Sequence, residues 1–371
     1  MALKAVLASG AVPNLDQVRL PAEAVRLPER AVASGFVVLG HRGKGMNVLA
    51  SPDRRMSAVK ENSILSFNRA ARFPIDSIEF DVQVTKDDCP IIFHDDVILT
   101  EHAGEIMEKR VTDLCLEEFL SYGPQRDPSK VGKLLLRRAH DGRVLNWNVE
   151  DDDYLCTLQE AFEKVDPRLG FNIELKFVDH VVYSDQELVH ALEAVLKVVY
   201  QYAGERAIIF STFQPDAGRL IRKLQSAYPV FFLTTGGTEI HDDIRRNSLD
   251  EAIKLCLAGG LQGIVSEVRG IFRHPSAVSR IKESNLSLLT YGKLNNVPEA
   301  VYLQHLMGIN GVIVDLVEEI TESVSDIIQP ALAAEFCGSA EPVQAKQGMR
   351  PGFSERELSF LLKLIPELVQ H

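Results

Sequence analysis

The sequence predicts a closed (β/α)8 barrel in the α/β class, and three observations carry that expectation. Short apolar runs rich in β-branched residues alternate with longer amphipathic stretches, which is the pattern of parallel strands and crossover helices. There are eight such units, the number that closes a barrel. The residues that end the runs are polar and chemically capable, as expected where barrel strands open onto one active face. Composition agrees. The chain has 371 residues, 46% hydrophobic and 25% charged, with a net charge of -12. These are the values of an ordinary soluble globular protein. The acidic balance argues against a nucleic-acid surface, which needs clustered Lys and Arg. No stretch approaches the ~18 apolar residues of a membrane span. The five cysteines are Cys89, Cys115, Cys156, Cys256 and Cys337. They form no CxxC, so neither a zinc site nor a disulfide framework is expected, and a reducing compartment is the default.

Residues 1–35 lack a basic segment followed by an apolar one, so no secretory signal is expected. They read as an N-terminal arm or a plastid transit segment. The barrel is expected over 36–330. Its first run, "FVVLG" (36–40), leads directly into His41, Arg42 and Gly43, and a helix is expected over 61–72. The second run, "SIEFD" (77–81), continues into "KDDCP", whose turn chemistry predicts a hairpin returning through a strand from Pro90 to Phe93. Residues 96–154 then run long before the next helix, and hold "GPQRDPSKVGK" and "EDDD" (150–153). They read as an insertion in a βα loop, where barrels carry function. The remaining runs are "FNIEL" (171–175), "AIIFS" (207–211), "VFFLT" (230–234), "GIVSE" (263–267), "LSLLT" (286–290) and "GVIVD" (311–315). Helices are expected at 155–165, 185–203, 215–226, 249–258, 275–283, 297–307 and 316–330. Residues 331–353 read as a linker. The segment 354–370 reads as an amphipathic helix, opened by the capping box of Ser354 and Glu357 and packed on its own barrel.

The strand ends carry the chemistry. Glu79 and Asp81 are two apart on a strand and share a face. With Ile78 and Phe80 turned outward, both carboxylates point into the barrel mouth, where Glu174 can join them from the next strand. Three converging carboxylates repel unless a cation sits among them. Oxygen-only ligands favour Mg2+ or Ca2+ over zinc. His41 and His94 also stand at strand ends. One neutral imidazole can take a proton and one imidazolium can give one, as phosphodiester cleavage requires. Arg42 and Lys176 supply positive charge for phosphate oxygens, and the glycines of "GHRGKG" allow close approach. Glu61, in "KENS", reads as an acid that orients His41 or Arg42. Asp315 either contacts the site or caps the next helix. Ser211 lacks a GxSxG setting and reads as a pocket wall.

Taken together, "GHRG" (40–43), "EN" (61–62), "IEFDVQVTKD" (78–87), "IIFHDD" (91–96), "IELK" (173–176) and "FSTF" (210–213) resemble the glycerophosphodiester phosphodiesterase family. The likeness covers roughly 36–330 and is stronger to the plant branch, through "KENSILSFN", "SYGPQRD", "FFLTTGGTE" and "LTYGKLNNV". The resemblance implies a phospholipase-C-like barrel with a small insertion domain. It implies hydrolysis of glycerophosphodiesters, such as glycerophosphocholine or glycerophosphoethanolamine, to sn-glycerol 3-phosphate and an alcohol. It also implies His41 and His94 as acid and base, and Glu79, Asp81 and Glu174 as ligands of Mg2+, with Ca2+ or Mn2+ as alternatives. Arg42 and Lys176 would contact phosphate, and Phe213 and Tyr291 would wall the pocket. Many relatives carry Trp where Tyr291 stands. The plant branch includes a plastid member linked to phosphate recycling from lipids. This points to the plastid or the cytoplasm and to a small-molecule substrate, with no nucleic acid and no stable membrane insertion. Two other readings are weighed: a phospholipase C- or D-like enzyme on intact lipids, which would need an apolar or basic rim, and a non-catalytic phosphodiester-binding barrel.

Overall fold

Alternation of outward apolar and inward residues decides how each strand sits. The computed structural model describes residues 36–325, so the N-terminal arm and the 331–371 linker and helix lie outside it. Its strands, in chain order, are β1 Val37–Gly40, β2 Ser77–Val84, β3 Pro90–Ile92, β4 Val97–His102, β5 Glu105–Arg110, β6 Leu136–Arg138 and β7 Val144–Asn146. There follow β8 Gly170–Leu175, β9 Ile208–Thr212, β10 Val230–Thr234, β11 Gly263–Glu267, β12 Ser287–Tyr291 and β13 Gly311–Val314. The eight runs read from the sequence are β1, β2 and β8 to β13. They pair in the order β1-β13-β12-β11-β10-β9-β8-β2, and β2 returns to β1. Every pairing is parallel, so the sheet is a closed barrel.

Both faces of these strands are buried, which is why they read as continuous apolar runs. Ile78, Phe80, Val82, Phe171 and Ile173 face outward and pack with Phe67, Phe162 and Leu192 of the surrounding helices. The Phe80 ring lies 5.2 Å from Phe67 and 5.0 Å from Phe171. Burying one such side chain contributes about 1.5–3 kcal/mol. A one-residue slip of β2 would put Glu79 and Asp81 among these rings, so the outer core fixes the carboxylates inward. Inside the barrel Val37, Leu39, Ile209, Phe231, Val265, Leu289 and Ile313 form a second cluster below the site.

The helices of the barrel follow the expected stretches, and two differences stand out. The first begins at Ile64 rather than 61, because Ser63 caps it by accepting the Ser66 N–H and Asn62 takes a left-handed φ of 54°. Glu61 and Asn62 are thereby left in the loop beside the barrel mouth. A short helix, Val268–Arg273, follows β11 directly and was not expected. Six residues are too few to show a period, and Glu267 starts it by accepting the Arg269 N–H at 2.8 Å.

The predicted hairpin forms, with β3 antiparallel to the outer end of β2. The long segment after it is more ordered than a loop. It builds a four-stranded antiparallel sheet, β5-β4-β6-β7. Phe93, Phe119, Tyr122 and Trp147 share a separate cluster beneath this sheet, with Phe93 5.8 Å from both Phe119 and Trp147. No helix of the described residues is long and apolar enough to cross a membrane.

Candidate active site

The stretch after β1 is shaped by glycine. A Cβ on Gly40 would lie 2.1 Å from the Gly43 carbonyl oxygen, and Gly43 itself has φ +93°. Only glycine fits such a fold-back without strain. The turn buries Arg42, whose side chain is 7% exposed. Its backbone N–H donates to Glu79 Oε2 at 3.1 Å, and its Nη1 donates to Glu61 Oε1 at 2.8 Å. Its Nε stands 3.3 Å from Asp81 Oδ2 but is not aligned to donate, and it has no hydrogen-bond partner among the described residues. One donor of the guanidinium is thus left facing the acidic centre.

Glu79, Asp81 and Glu174 meet as their spacing predicts. Asp81 and Glu174 are register partners across β2 and β8. One oxygen from each of the three carboxylates lies within 4.8 Å of the others. The proximity has a cost. Burial, then repulsion from Asp81, pushes the Glu79 carboxyl upward. Glu174 is also raised, mainly by burial and against the pull of Lys176. Asp81 is lowered despite its burial, because Arg42, His94 and Lys176 favour its charge. Lys176 Nζ stands 3.3 Å from Glu174 and 3.7 Å from Asp81, and Asn62 Nδ2 donates to Asp81 Oδ2 at 2.8 Å. An all-oxygen set this close, with like charges in conflict, fits a hard divalent cation.

Each histidine is held by its own carboxylate. His41 Nδ1 is 2.7 Å from Asp315 Oδ1, and its Nε2 is 3.8 Å from Glu79 Oε2. Burial disfavours its charged form, but Asp315 outweighs burial and raises its pKa. Of the two readings open for Asp315, the contact with the site is the one observed. The helix Val317–Ser323 has no side-chain cap, and Asp315 also accepts the Met46 N–H and the Asn296 Nδ2–H. His94 Nδ1 is 2.8 Å from Asp95 Oδ1. Its pKa is pushed down to about 4 by burial, then by Arg42 and Lys176.

A family model described as glycerophosphoryl diester phosphodiesterase matches residues 41–319. The chain belongs to that family. It is 61% identical to glycerophosphodiester phosphodiesterase GDPD2 of Arabidopsis thaliana, with 100% of both chains covered. It is 60% identical, again over 100% of both, to glycerophosphodiester phosphodiesterase GDPD1, chloroplastic, of the same plant. Among solved structures, the phosphodiesterase of Oleispira antarctica in complex with sn-glycerol-3-phosphate shares the fold. Its TM-score is 0.57 at 19% identity, and the match covers 80% of this chain and 99% of that one.

Two aromatic side chains stand at the strand ends of this phosphodiesterase. The Phe213 and Tyr291 rings meet edge to face with centroids 6.1 Å apart, and the Arg246 guanidinium lies 5.7 Å from the Phe213 centroid. Ser211 is fully buried and its hydroxyl donates to Asn172 Oδ1 at 2.9 Å, as suits a wall rather than a nucleophile. Glu61 reaches Arg42, not His41. Its other oxygen lies 3.0 Å from Arg137 Nη1, and Arg137 Nη2 is 2.8 Å from Asp95 Oδ1. Arg137 was not singled out in the sequence. Nothing marks it there, because it lies on β6 of the inserted sheet, outside every motif.

The Glu61 ion pairs carry a prediction. Burial alone would raise its pKa, but Arg137 and Arg42 hold it far below the usual carboxylate value of 4.5. A depressed folded pKa means stability present above 4.5 and lost as the pH falls below it. Urea midpoints of the wild type and Glu61→Gln should therefore differ most at neutral pH and converge below pH 4.5. A gap that stays constant with pH would contradict the pairing.

Proposed function

We propose that the chain hydrolyses soluble glycerophosphodiesters, such as glycerophosphocholine and glycerophosphoethanolamine, to sn-glycerol 3-phosphate and the free alcohol. The observation that carries this reading is the buried carboxylate triad together with two carboxylate-held histidines, His41 with its Nε2 3.8 Å from Glu79 and His94 held by Asp95. Relatives support the substrate class: a Schizosaccharomyces pombe protein, 31% identical over 80% of this chain and 29% of its own length, is named a glycerophosphocholine phosphodiesterase. Glu79, Asp81 and Glu174 would hold the divalent cation, with Mg2+ first and Ca2+ or Mn2+ as alternatives. When bound, that ion neutralises charge on the phosphate oxygens. Arg42 and Lys176 bind and orient the phosphate.

His94, neutral because its charged form is disfavoured, takes the proton of the attacking oxygen on Nε2. Its Nδ1 is occupied by Asp95. As the new oxygen–phosphorus bond forms, the bond from phosphorus to the head-group oxygen breaks. His41, kept protonated by Asp315, gives its proton to that leaving alkoxide. Phe213 and Tyr291, in edge-to-face contact, would wall the pocket. We read residues 36–330 as the phosphodiesterase barrel with an insertion domain at about 96–154, flanked by residues 1–35 and 331–371. The name of the chloroplastic relative supports action in the plastid, with the cytoplasm as the alternative; recycling of lipid-derived phosphate is the role that follows from this reading.

Phosphorus NMR of glycerophosphocholine incubated with the protein tests the direction of cleavage. The expected product signal is sn-glycerol 3-phosphate. Phosphocholine instead would overturn the assignment of the leaving group.

A further inference from the structure

We propose that Arg137, carried into the site by the inserted sheet, is a positioning residue that locks the proton-accepting arm to the phosphate-binding arm. The proposal rests on the acid–base reading above. Five side chains form one chain of contacts. His94 Nδ1 is 2.8 Å from Asp95, and Asp95 is 2.8 Å from Arg137 Nη2. Arg137 Nη1 is 3.0 Å from Glu61 Oε2, and Glu61 Oε1 accepts from Arg42 Nη1 at 2.8 Å. Asp95 comes from the end of the hairpin and Glu61 from the loop that follows β1, so neither segment fixes the other directly. Arg137 bridges them.

The bridge is rigid. Its side chain is 11% exposed, and its guanidinium lies 4.1 Å from the Trp147 ring centroid. It also donates to the Asn47 carbonyl at 3.3 Å, while Trp147 Nε1 donates to Asn47 Oδ1 at 3.0 Å. A sheet that only needed to dock could do so through Ile91, Phe93 and Leu155, which already pack in its core. Burying a guanidinium between two carboxylates is a costly way to gain adhesion. Here each carboxylate holds a different functional group. Removing Arg137 takes their shared counter-charge from the half-buried Asp95 and the buried Glu61, and both imidazole and guanidinium lose a fixed support. Lysine can offer a point charge but not a fork that serves two carboxylates.

The test is steady-state kinetics of the full chain with glycerophosphocholine and Mg2+. Arg137→Gln should lower kcat by about 10–100-fold, the usual effect of losing an orienting partner. KM should rise only modestly, because Glu61 still holds Arg42 at the phosphate. The Mg2+ concentration for half activation should not move, because Arg137 does not touch the triad. Arg137→Lys should fall between the two. The double variant Arg137→Gln/Asp95→Asn should be about as slow as the slower single variant, since both break one linkage. Wild-type kcat in Arg137→Gln or additive losses in the double variant would overturn the proposal. So would a loss that follows a lowered Tm and disappears on cooling. If Arg137→Gln does not fold, Arg137→Lys with Asp95→Asn gives the same comparison. His94→Ala, run alongside, separates the two readings. If it is inactive while Arg137→Gln is normal, only the bridge fails. If His94→Ala turns over normally, the acid–base reading fails as well.

Discussion

His94→Ala should lower kcat for glycerophosphocholine by about 10²–10⁴-fold, the range of a lost general base. Its Nδ1 lies against the Asp95 carboxylate, which holds the proton on Nδ1 and leaves the lone pair on Nε2. Burial and the cations Arg42 and Lys176 keep the ring uncharged down to about pH 4. His41 has the opposite setting, with Asp315 at 2.7 Å sustaining its charge above the ordinary value of 6.5. The two environments separate the two titrations in the order that acid–base catalysis needs. The pH profile of kcat/KM should therefore fall below about 4, where His94 gains a proton. The alkaline limb, where His41 loses its own, should be displaced upward from the ordinary imidazole value, because Asp315 favours the charged ring. In His94→Ala the acid limb should vanish along with most of the rate. Turnover within threefold of wild type would remove His94 from the mechanism.

Glu79→Gln should have a comparable effect on activity for a different reason. The substitution keeps shape and removes one of three charges crowded into a buried pocket. In the metal-stripped protein burial and that crowding are both unfavourable to its charge, which is why the Glu79 carboxyl is raised. The variant should then unfold at a higher Tm than wild type in EDTA, because a like-charge conflict is gone. Added Mg2+ should raise the Tm of wild type, since a ion that binds only the folded state stabilises it. It should raise the variant much less. Activity should be lost at ordinary Mg2+ and partly regained in excess. An unchanged Mg2+ response in the variant would show that Glu79 is not a ligand.

Much of this arrangement is written locally in the sequence. Ile78 and Phe80 are apolar and pack outward, so Glu79 and Asp81 must face inward, and β8 repeats the logic with Ile173 and Glu174. His41 and His94 stand where their strands end. What could not be read depends on tertiary placement. Strand β5 is exposed along nearly all its length, so it carries no alternation to betray a strand. The sheet it belongs to is set by cross-strand pairing and by Trp147 and Phe119, residues that no local pattern joins. Arg137 follows from that sheet and was invisible without it. Asp315 stayed open between two uses because both begin at the same strand end, and only the position of His41 decides between them. Arg42 was expected at the phosphate. Its charge is also enclosed by Glu61 and Asp81, which only the burial of the turn reveals.

The most direct test of metal-dependent phosphodiester hydrolysis is glycerol 3-phosphate release from glycerophosphocholine by the purified protein. It is measured as prepared, after EDTA, and after Mg2+ or Ca2+ is restored. Release that EDTA stops and one of these ions restores is the predicted result. Release that continues at full rate in EDTA, or none from folded protein with any divalent ion, would contradict it.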